Sequence, residues 1–189
     1  MAELNQSKLL ISIATYNEHD NLRPLVESIK NFMPQAHILI VDDNSPDGTG
    51  KLADVLTQEL SDLHAIHRTG KLGLGTAIVA GMKFAINNEF DYFMSIDADF
   101  SHHPRYIPPI FQGMAEKDVM IGSRYIPGGG TKNWPFSRKV ISTSVNYLVK
   151  LLFWMPVRDA SGGFRCYRTS KLKEVDFDRV WSKGYSFQQ

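Results

Sequence analysis

Apolar positions in this chain follow two alternating patterns. Lys8-Leu9-Leu10-Ile11-Ser12-Ile13-Ala14 is apolar almost throughout, as expected of a strand covered on both faces. A polar turn follows, and then Leu22, Leu25, Val26, Ile29 and Phe32 recur at helical spacing until Pro34. Ile38-Leu39-Ile40-Val41 predicts a second buried strand, and Leu52, Val55, Leu56 and Leu60 line one face of a second helix. A short third strand near Ala65-Ile66-His67 precedes a third helix carrying Ala77, Ile78, Gly81, Met82, Ala85 and Ile86. Tyr92-Phe93-Met94-Ser95-Ile96 predicts a fourth strand, Tyr106 to Ala115 a helix begun near proline, and Val119-Met120-Ile121-Gly122 a fifth strand. This β-α-β-α alternation predicts an α/β fold with a parallel, doubly wound sheet. Right-handed crossovers then gather the C-terminal strand ends on one edge.

Past Gly122 the pattern changes. Residues 125–135, Tyr-Ile-Pro-Gly-Gly-Gly-Thr-Lys-Asn-Trp-Pro, are rich in helix and strand breakers and predict a loop. Ser137 through Phe153 predicts an amphipathic helix, with Val140, Ile141, Val145, Leu148, Val149 and Leu152 apolar and Arg138, Lys139 and Lys150 polar. Core packing and a place in a membrane interface both suit that pattern. Phe164-Arg165-Cys166-Tyr167 alternates like a strand, so the single cysteine, Cys166, is expected to be a packed thiol.

Charge sharpens this division. Residues 1–120 hold 9 Lys and Arg against 16 Asp and Glu, whereas residues 121–189 hold 12 against 4. The later part therefore expects an anionic partner and the earlier part tolerates a divalent cation. The 189 residues are expected to form one domain, and one cysteine excludes an internal disulfide. The first residues, Met-Ala-Glu-Leu-Asn-Gln, lack the basic flank and apolar run of a signal peptide. No apolar run approaches the ~20 residues that span a bilayer.

Candidate chemistry sits at the strand ends. In an extended chain residues two apart point the same way, so Asp97 and Asp99 are placed to aim two carboxylates at one point beyond the fourth strand. Ligands bind there in open α/β sheets, and hard oxygen pairs suit Mg²⁺ or Mn²⁺ together with substrate phosphates. Glu18 and the Asp42/Asp43 pair fall at the same edge. Each alone is compatible with an ordinary cap or turn residue. The first βα turn, Thr15-Tyr16-Asn17-Glu18, has no glycine, which excludes a dinucleotide fingerprint of the G-x-G-x-x-G type. Gly73 and Gly75 are expected to let a helix start pack tightly, near a diphosphate.

Six runs, in order from about residue 8 to the end, carry a more specific likeness. They are Thr15-Tyr16-Asn17-Glu18, residues 41–49 (Val-Asp-Asp-Asn-Ser-Pro-Asp-Gly-Thr), residues 71–77 (Lys-Leu-Gly-Leu-Gly-Thr-Ala), residues 97–104 (Asp-Ala-Asp-Phe-Ser-His-His-Pro), Gly122-Ser123-Arg124-Tyr125 and Ser161-Gly162-Gly163-Phe164-Arg165. Together they resemble the dolichol-phosphate (polyprenol-phosphate) mannosyltransferases, inverting enzymes of glycosyltransferase family 2. The resemblance implies a GT-A fold, a Rossmann-like α/β/α sandwich with a doubly wound, mostly parallel sheet, forming a single catalytic domain over residues 1–189. Residues 8–122 would bind the nucleotide sugar and 123–189 would face the acceptor.

By the same resemblance Ala14, Tyr16, Glu18, Val41 and Asp43 hold the nucleoside, and Asp97, Ala98 and Asp99 bind diphosphate and metal, Mg²⁺ or Mn²⁺. Asp97 and Asp99 are the metal ligands, and Asp99 and Arg124 are the catalytic pair. Arg124 also binds donor or acceptor phosphate, and Arg138 with Ser142 marks where the lipid phosphate docks. The implied partners are GDP-mannose and a polyprenyl phosphate, with no nucleic acid. The implied place is peripheral, on the cytoplasmic side of a membrane. Relatives usually have proline where Ala14 stands, and they continue beyond the Ser186-Phe187-Gln188-Gln189 end with a basic segment, so a C-terminally shortened form is expected.

A lipid phosphate needs no general base, because its second pKa is ~6 and it is largely dianionic at neutral pH. A hydroxyl acceptor, as in a polysaccharide glycosyltransferase, would need one. Of the acids in the later half, Asp159, Glu174, Asp176 and Asp178, only Asp159 is well placed for that role. UDP-glucose as donor, or a catalytically silent nucleotide-sugar-binding module, are the other readings. His102 and His103 are expected to shape the turn before Pro104 rather than to reach the metal.

Overall fold

The structure is a computed structural model, and it describes residues 4, 6–127, 129–130, 142–144, 146–147 and 158–179. Strands β1 (Leu9–Thr15), β2 (His37–Asp42), β3 (Leu63–His67) and β4 (Tyr92–Asp97) alternate with helices α1 (His19–Phe32), α2 (Thr49–Glu59) and α3 (Leu74–Asn87). A 3₁₀ turn at Pro104–Tyr106 leads into α4 (Ile107–Gln112), followed by β5 (Val119–Ile121), β6 (Arg165–Arg168) and α5 (Thr169–Leu172).

These strands form one six-stranded sheet in the order β3-β2-β1-β4-β6-β5. β1 pairs in parallel with β2 and with β4, and β2 with β3. β6 is antiparallel to both of its neighbours, β4 and β5. The fifth predicted strand is thus not the next parallel neighbour of β4. A strand from more than forty residues further along the chain is inserted between them, and the sheet is mostly parallel, as the resemblance implies. The expected helix over Ser137–Phe153, with Arg138, lies outside the described residues except at 142–144 and 146–147, which are helical.

The near-continuous apolar runs have a direct cause. On one face Ile11, Ile13, Ile38 and Ile40 pack with Leu22, Leu25, Val26 and Ile29 of α1, Leu56 of α2 and Ile107 and Phe111 of α4. On the other, Leu10, Leu39, Val41 and Phe93 pack against Ala77, Ile78, Met82 and Ala85 of α3 and Leu172 of α5. Alternate residues of each strand face opposite layers, so both must be apolar. The result is an α/β/α sandwich. α3 approaches closely because Gly81 has no side chain: a Cβ there would lie 2.6 Å from Ser12 Oγ and 3.0 Å from Phe93 Cε2. Cys166 is fully buried on β6, as its alternation predicts. Among the described residues no helix is long and apolar enough to cross a membrane.

Candidate active site

Register alone brings the predicted donor residues together. Ala14 lies opposite Val41 on β2 and opposite Asp97 on β4, and Val41 opposite Ile66 on β3. Asp97, Ala14, Val41 and Ile66 therefore form one row across four parallel strands, at their C-terminal edge. One residue further on, Thr15 pairs with Asp42. The two acids of the Asp42/Asp43 pair then diverge in role. Asp42 is buried and accepts hydrogen bonds from Thr15 Oγ1 (3.0 Å), Ser45 N (3.0 Å) and Ser45 Oγ (2.5 Å). It closes the turn after β2.

Asp43, equally buried, holds the loop that follows β3. Its Oδ2 accepts the Leu72 N–H (3.0 Å) and the Gly73 N–H (3.1 Å). Its Oδ1 lies 2.8 Å from Arg68 Nη1, an ion pair without hydrogen-bond alignment. Arg68 also donates to Thr76 Oγ1 (2.5 Å) in the first turn of α3. Gly73 has φ +101° and ψ 149°, a conformation that is costly for any residue with a Cβ. The glycine is needed because the chain must present two successive amides to one carboxylate. The Lys71 ammonium lies 4.0 Å from the centroid of the Tyr16 ring, itself 36% exposed. Sequence reasoning missed Arg68 and Lys71 as parts of this wall. The only available signal was their place beside the Gly73-Leu74-Gly75 turn.

Glu18 caps α1 through its backbone: its carbonyl accepts from Asn21 N and Leu22 N, and its Oε2 takes Asn21 Nδ2 at 2.8 Å. Its own N–H donates to Thr49 Oγ1 at the start of α2, which ties the two turns together. Asn17 before it has φ +61°, a left-handed conformation that asparagine tolerates well.

At the end of β4 Ala98 is buried and Asp99 exposed, its Oδ1 accepting the Ser101 N–H at 2.9 Å. Burial raises Asp97 above the usual carboxylate range, and the neighbouring Asp99 pushes it further up against the pull of the Arg124 charge. His102 Nδ1 accepts the Asp97 backbone N–H (3.2 Å), so it is unprotonated there and makes no donated bond to Asp97 Oδ2, 3.5 Å away. Burial holds this imidazole below its ordinary value, and its ring stacks on Phe164 with centroids 5.1 Å apart. His103 Nδ1 accepts from Arg105 N and caps the 3₁₀ turn. Both histidines serve the turn. Among the described residues no three His, Cys, Asp or Glu side chains form a ready-made cation cage.

Arg124 enters the same site from the segment after β5, and its charge is felt at Asp97 and His102. Its guanidinium is held by Asp159, through Nε to Oδ2 (2.7 Å) and Nη2 to Oδ1 (2.6 Å), while its backbone N–H reaches Oδ2 at 3.0 Å. Nη2 also donates to Ser161 Oγ at 2.8 Å. Burial pushes the Asp159 carboxyl up, but the bonds from Arg124 outweigh it and leave Asp159 below the usual range. The same bonds raise Arg124. Asp159 is therefore not the accessible base that a hydroxyl acceptor would need: its side chain has no exposed surface and both oxygens are taken. Ser142, predicted on the acceptor side, accepts a hydrogen bond from the Tyr125 hydroxyl at 2.7 Å, one residue from Arg124. Arg138 lies outside the described residues.

Known proteins resemble this chain in sequence and in fold. The chain is 42% identical over 183 residues to the polyprenol monophosphomannose synthase of Mycolicibacterium smegmatis, covering 96% of this chain and 69% of that one. It is 39% identical over 181 residues to the undecaprenyl-phosphate mannosyltransferase of Micrococcus luteus, covering 96% and 74%. Among solved structures it superposes on the mannosyltransferase PcManGT from Pyrobaculum calidifontis, in complex with GDP-Man and Mn²⁺, with a TM-score of 0.61 and 14% identity. That match covers 90% of this chain and 47% of the other. Glucosyl-3-phosphoglycerate synthase from Mycobacterium tuberculosis, with Mn²⁺ and UDP, gives 0.68 and 16%, covering 99% and 64%. The chain thus spans about half the length of the first solved structure and under two thirds of the second, and these distant likenesses speak to the fold. The model of glycosyl transferase family 2 matches residues 10–176; the chain belongs to glycosyltransferase family 2.

Proposed function

We propose that this chain is an inverting glycosyltransferase that moves mannose from GDP-mannose to a polyprenyl monophosphate, working at the cytoplasmic face of a membrane. The observation that carries the reading is the meeting, at one sheet edge, of the Asp97/Asp99 carboxylates, the Ala14–Val41 row and the Arg124 cation. The names of the two relatives near 40% identity support mannose as the sugar and a polyprenyl phosphate as the acceptor.

Residues 8–122 hold the nucleotide sugar: Ala14, Val41 and Tyr16 form the floor and side of the nucleoside pocket, with Glu18 and Asp43 at its rim. Ala98 adds a buried support beside the diphosphate. Asp97 and Asp99 suit a divalent cation, Mg²⁺ or Mn²⁺. Both are hard oxygen donors, and the burial that disfavours the Asp97 anion is relieved by a neighbouring positive charge. Such a cation, bound by few protein ligands plus the substrate phosphates, supplies Lewis-acid stabilisation of the departing diphosphate.

Residues 123–189 face the acceptor. Arg124, with Arg138 and Ser142, positions the lipid phosphate beside the anomeric carbon and offsets its charge. One in-line attack by that phosphate oxygen gives inversion, and the acceptor needs no deprotonation. The sequestered Asp159 agrees with a reaction that has no general base.

The test is direct. Purified protein is incubated with radiolabelled GDP-mannose, undecaprenyl phosphate in detergent and Mn²⁺, with UDP-glucose as the rival donor. The reading expects a solvent-extractable mannolipid that disappears with chelator. Label remaining in the water phase, or transferred only from UDP-glucose, rejects it.

A further inference from the structure

Asp159 is the most completely buried acid among the described residues, and donor binding gives it no role. It belongs to a loop, residues 159–163, held by side chains from both sides. Arg165, itself buried on β6, donates through Nε to the Gly162 carbonyl at 2.7 Å and through Nη2 to the Ala160 carbonyl. Ser95 Oγ on β4 donates to the Gly163 carbonyl at 2.6 Å, and the Ala160 N–H donates to Asn146 Oδ1 at 2.7 Å. A Cβ on Gly162 would lie 3.3 Å from the Asp159 carboxyl carbon, so the glycine lets the loop close over the carboxylate.

The loop therefore fixes the carboxylate, and the carboxylate fixes Arg124. Two parallel N–H···O bonds set the plane of the guanidinium, and the Arg124 N–H on the same carboxylate sets its backbone. Ser161 Oγ takes one more Nη2 proton. The Arg124 side chain nevertheless remains 21% exposed, against 0% for Asp159.

We propose that Asp159 is a positioning residue for the reaction: with Ser161 it holds the Arg124 guanidinium rigidly at the mouth of the site, and it takes no proton from the acceptor. This rests on the mannosyl-transfer reading above for its substrates, though the coupling it claims is measurable without turnover. A flexible arginine would lose part of its phosphate-binding free energy in being ordered. A guanidinium already locked in plane avoids that loss.

A double-mutant cycle decides the matter. Values of kcat and KM for both substrates are measured for the wild type, Arg124→Ala, Asp159→Asn, Ser161→Ala and each of the last two combined with Arg124→Ala, with thermal melts of all. Outer-shell partners that fix a ligand typically matter about 10- to 100-fold. Asp159→Asn is expected to lower kcat/KM in that range, and Ser161→Ala less. Either change added to Arg124→Ala should then cost no more than about twofold, because its target is gone. The acid limb of the pH–rate profile should survive in Asp159→Asn.

Losses that multiply in full, or an acid limb abolished by Asp159→Asn, would make Asp159 an independent base and overturn the proposal. Should Asp159→Asn fail to fold, the Ser161→Ala arm answers the same question. Should the wild type form no mannolipid, the transfer reading fails, and the cycle is read instead on GDP–Mn²⁺ affinity by calorimetry. Full additivity there overturns the positioning role by itself.

Discussion

The two halves of the molecule place charged groups by different means. From β1 to β4 the backbone does the placing: parallel pairing sets Asp97, Ala14 and Val41 in one row, and the acids that follow the strands inherit that alignment. From Ser123 onward the described chain contributes only β6 and short helical turns, and the placing passes to side chains. Buried Arg165 grips carbonyls, Ser95 grips another, and Asp159 grips Arg124. The lesson concerns sensitivity. A site set by register tolerates loss of one side chain in its frame, whereas a site suspended on charge-assisted bonds does not.

The largest expected effect tests the register-set half. Asp97→Asn and Asp99→Asn should each lower mannosyl transfer by about 100- to 1,000-fold, the scale of removing one preorganised electrostatic contact. Melting temperatures should stay close to wild type, because among the described residues neither carboxylate holds another element: Asp99 accepts a bond within its own turn, from Ser101. Activity retained in both variants, assayed at saturating Mn²⁺, would break the comparison at its foundation.

Next is a place where the first half behaves like the second. Asp43→Ala removes the partner of a nearly buried Arg68 and leaves two loop amides unbonded. Breaking a buried pair by deleting one partner typically costs about 3–5 kcal/mol. Chemical denaturation should show a loss of that size, and GDP affinity should fall with it. A loss under about 1 kcal/mol, the range of exposed pairs, would mean the loop is held by other contacts.

Glycine replacements sit below these. Gly81→Ala places a Cβ 2.6 Å from Ser12 Oγ and 3.0 Å from Phe93, an overpacking expected to cost about 1–3 kcal/mol. Gly73→Ala forces a Cβ residue to adopt φ +101°, also about 1–3 kcal/mol. The two differ in kind. Gly81→Ala should lower the melting temperature without changing KM, and Gly73→Ala should raise KM for the donor as well.

Acid stability sharpens the contrast further. Asp159 lies below the usual carboxylate range in the folded state, so its contribution is fully present above the unfolded value of about 3.9. It is lost as pH falls through the depressed native value. Stability profiles of the wild type and Asp159→Asn should therefore converge below about pH 4. Parallel profiles would show that the carboxylate is not ionised in its pair. The smallest signal is a negative one: burial pushes the Cys166 thiol far up, so native protein should resist thiol reagents that label it at once in denaturant.

The sequence by itself determined the layered α/β class and the acidic edge. Both rest on local rules: alternating or continuous apolar runs report which faces are covered, and residues two apart on a strand share a direction. It also placed Cys166 on a packed strand and His102 and His103 in a turn. Tertiary structure alone decided the rest. Nothing local distinguishes Asp42, consumed by its own turn, from Asp43, consumed by a loop 25 to 30 residues further on. Nothing local says that β6 inserts antiparallel between β4 and β5, or that Asp159 is sealed against Arg124, 35 residues away, rather than open as a base. Each of those outcomes is a choice among partners distant along the chain, and a carboxylate's role is set by which donor reaches it first in three dimensions.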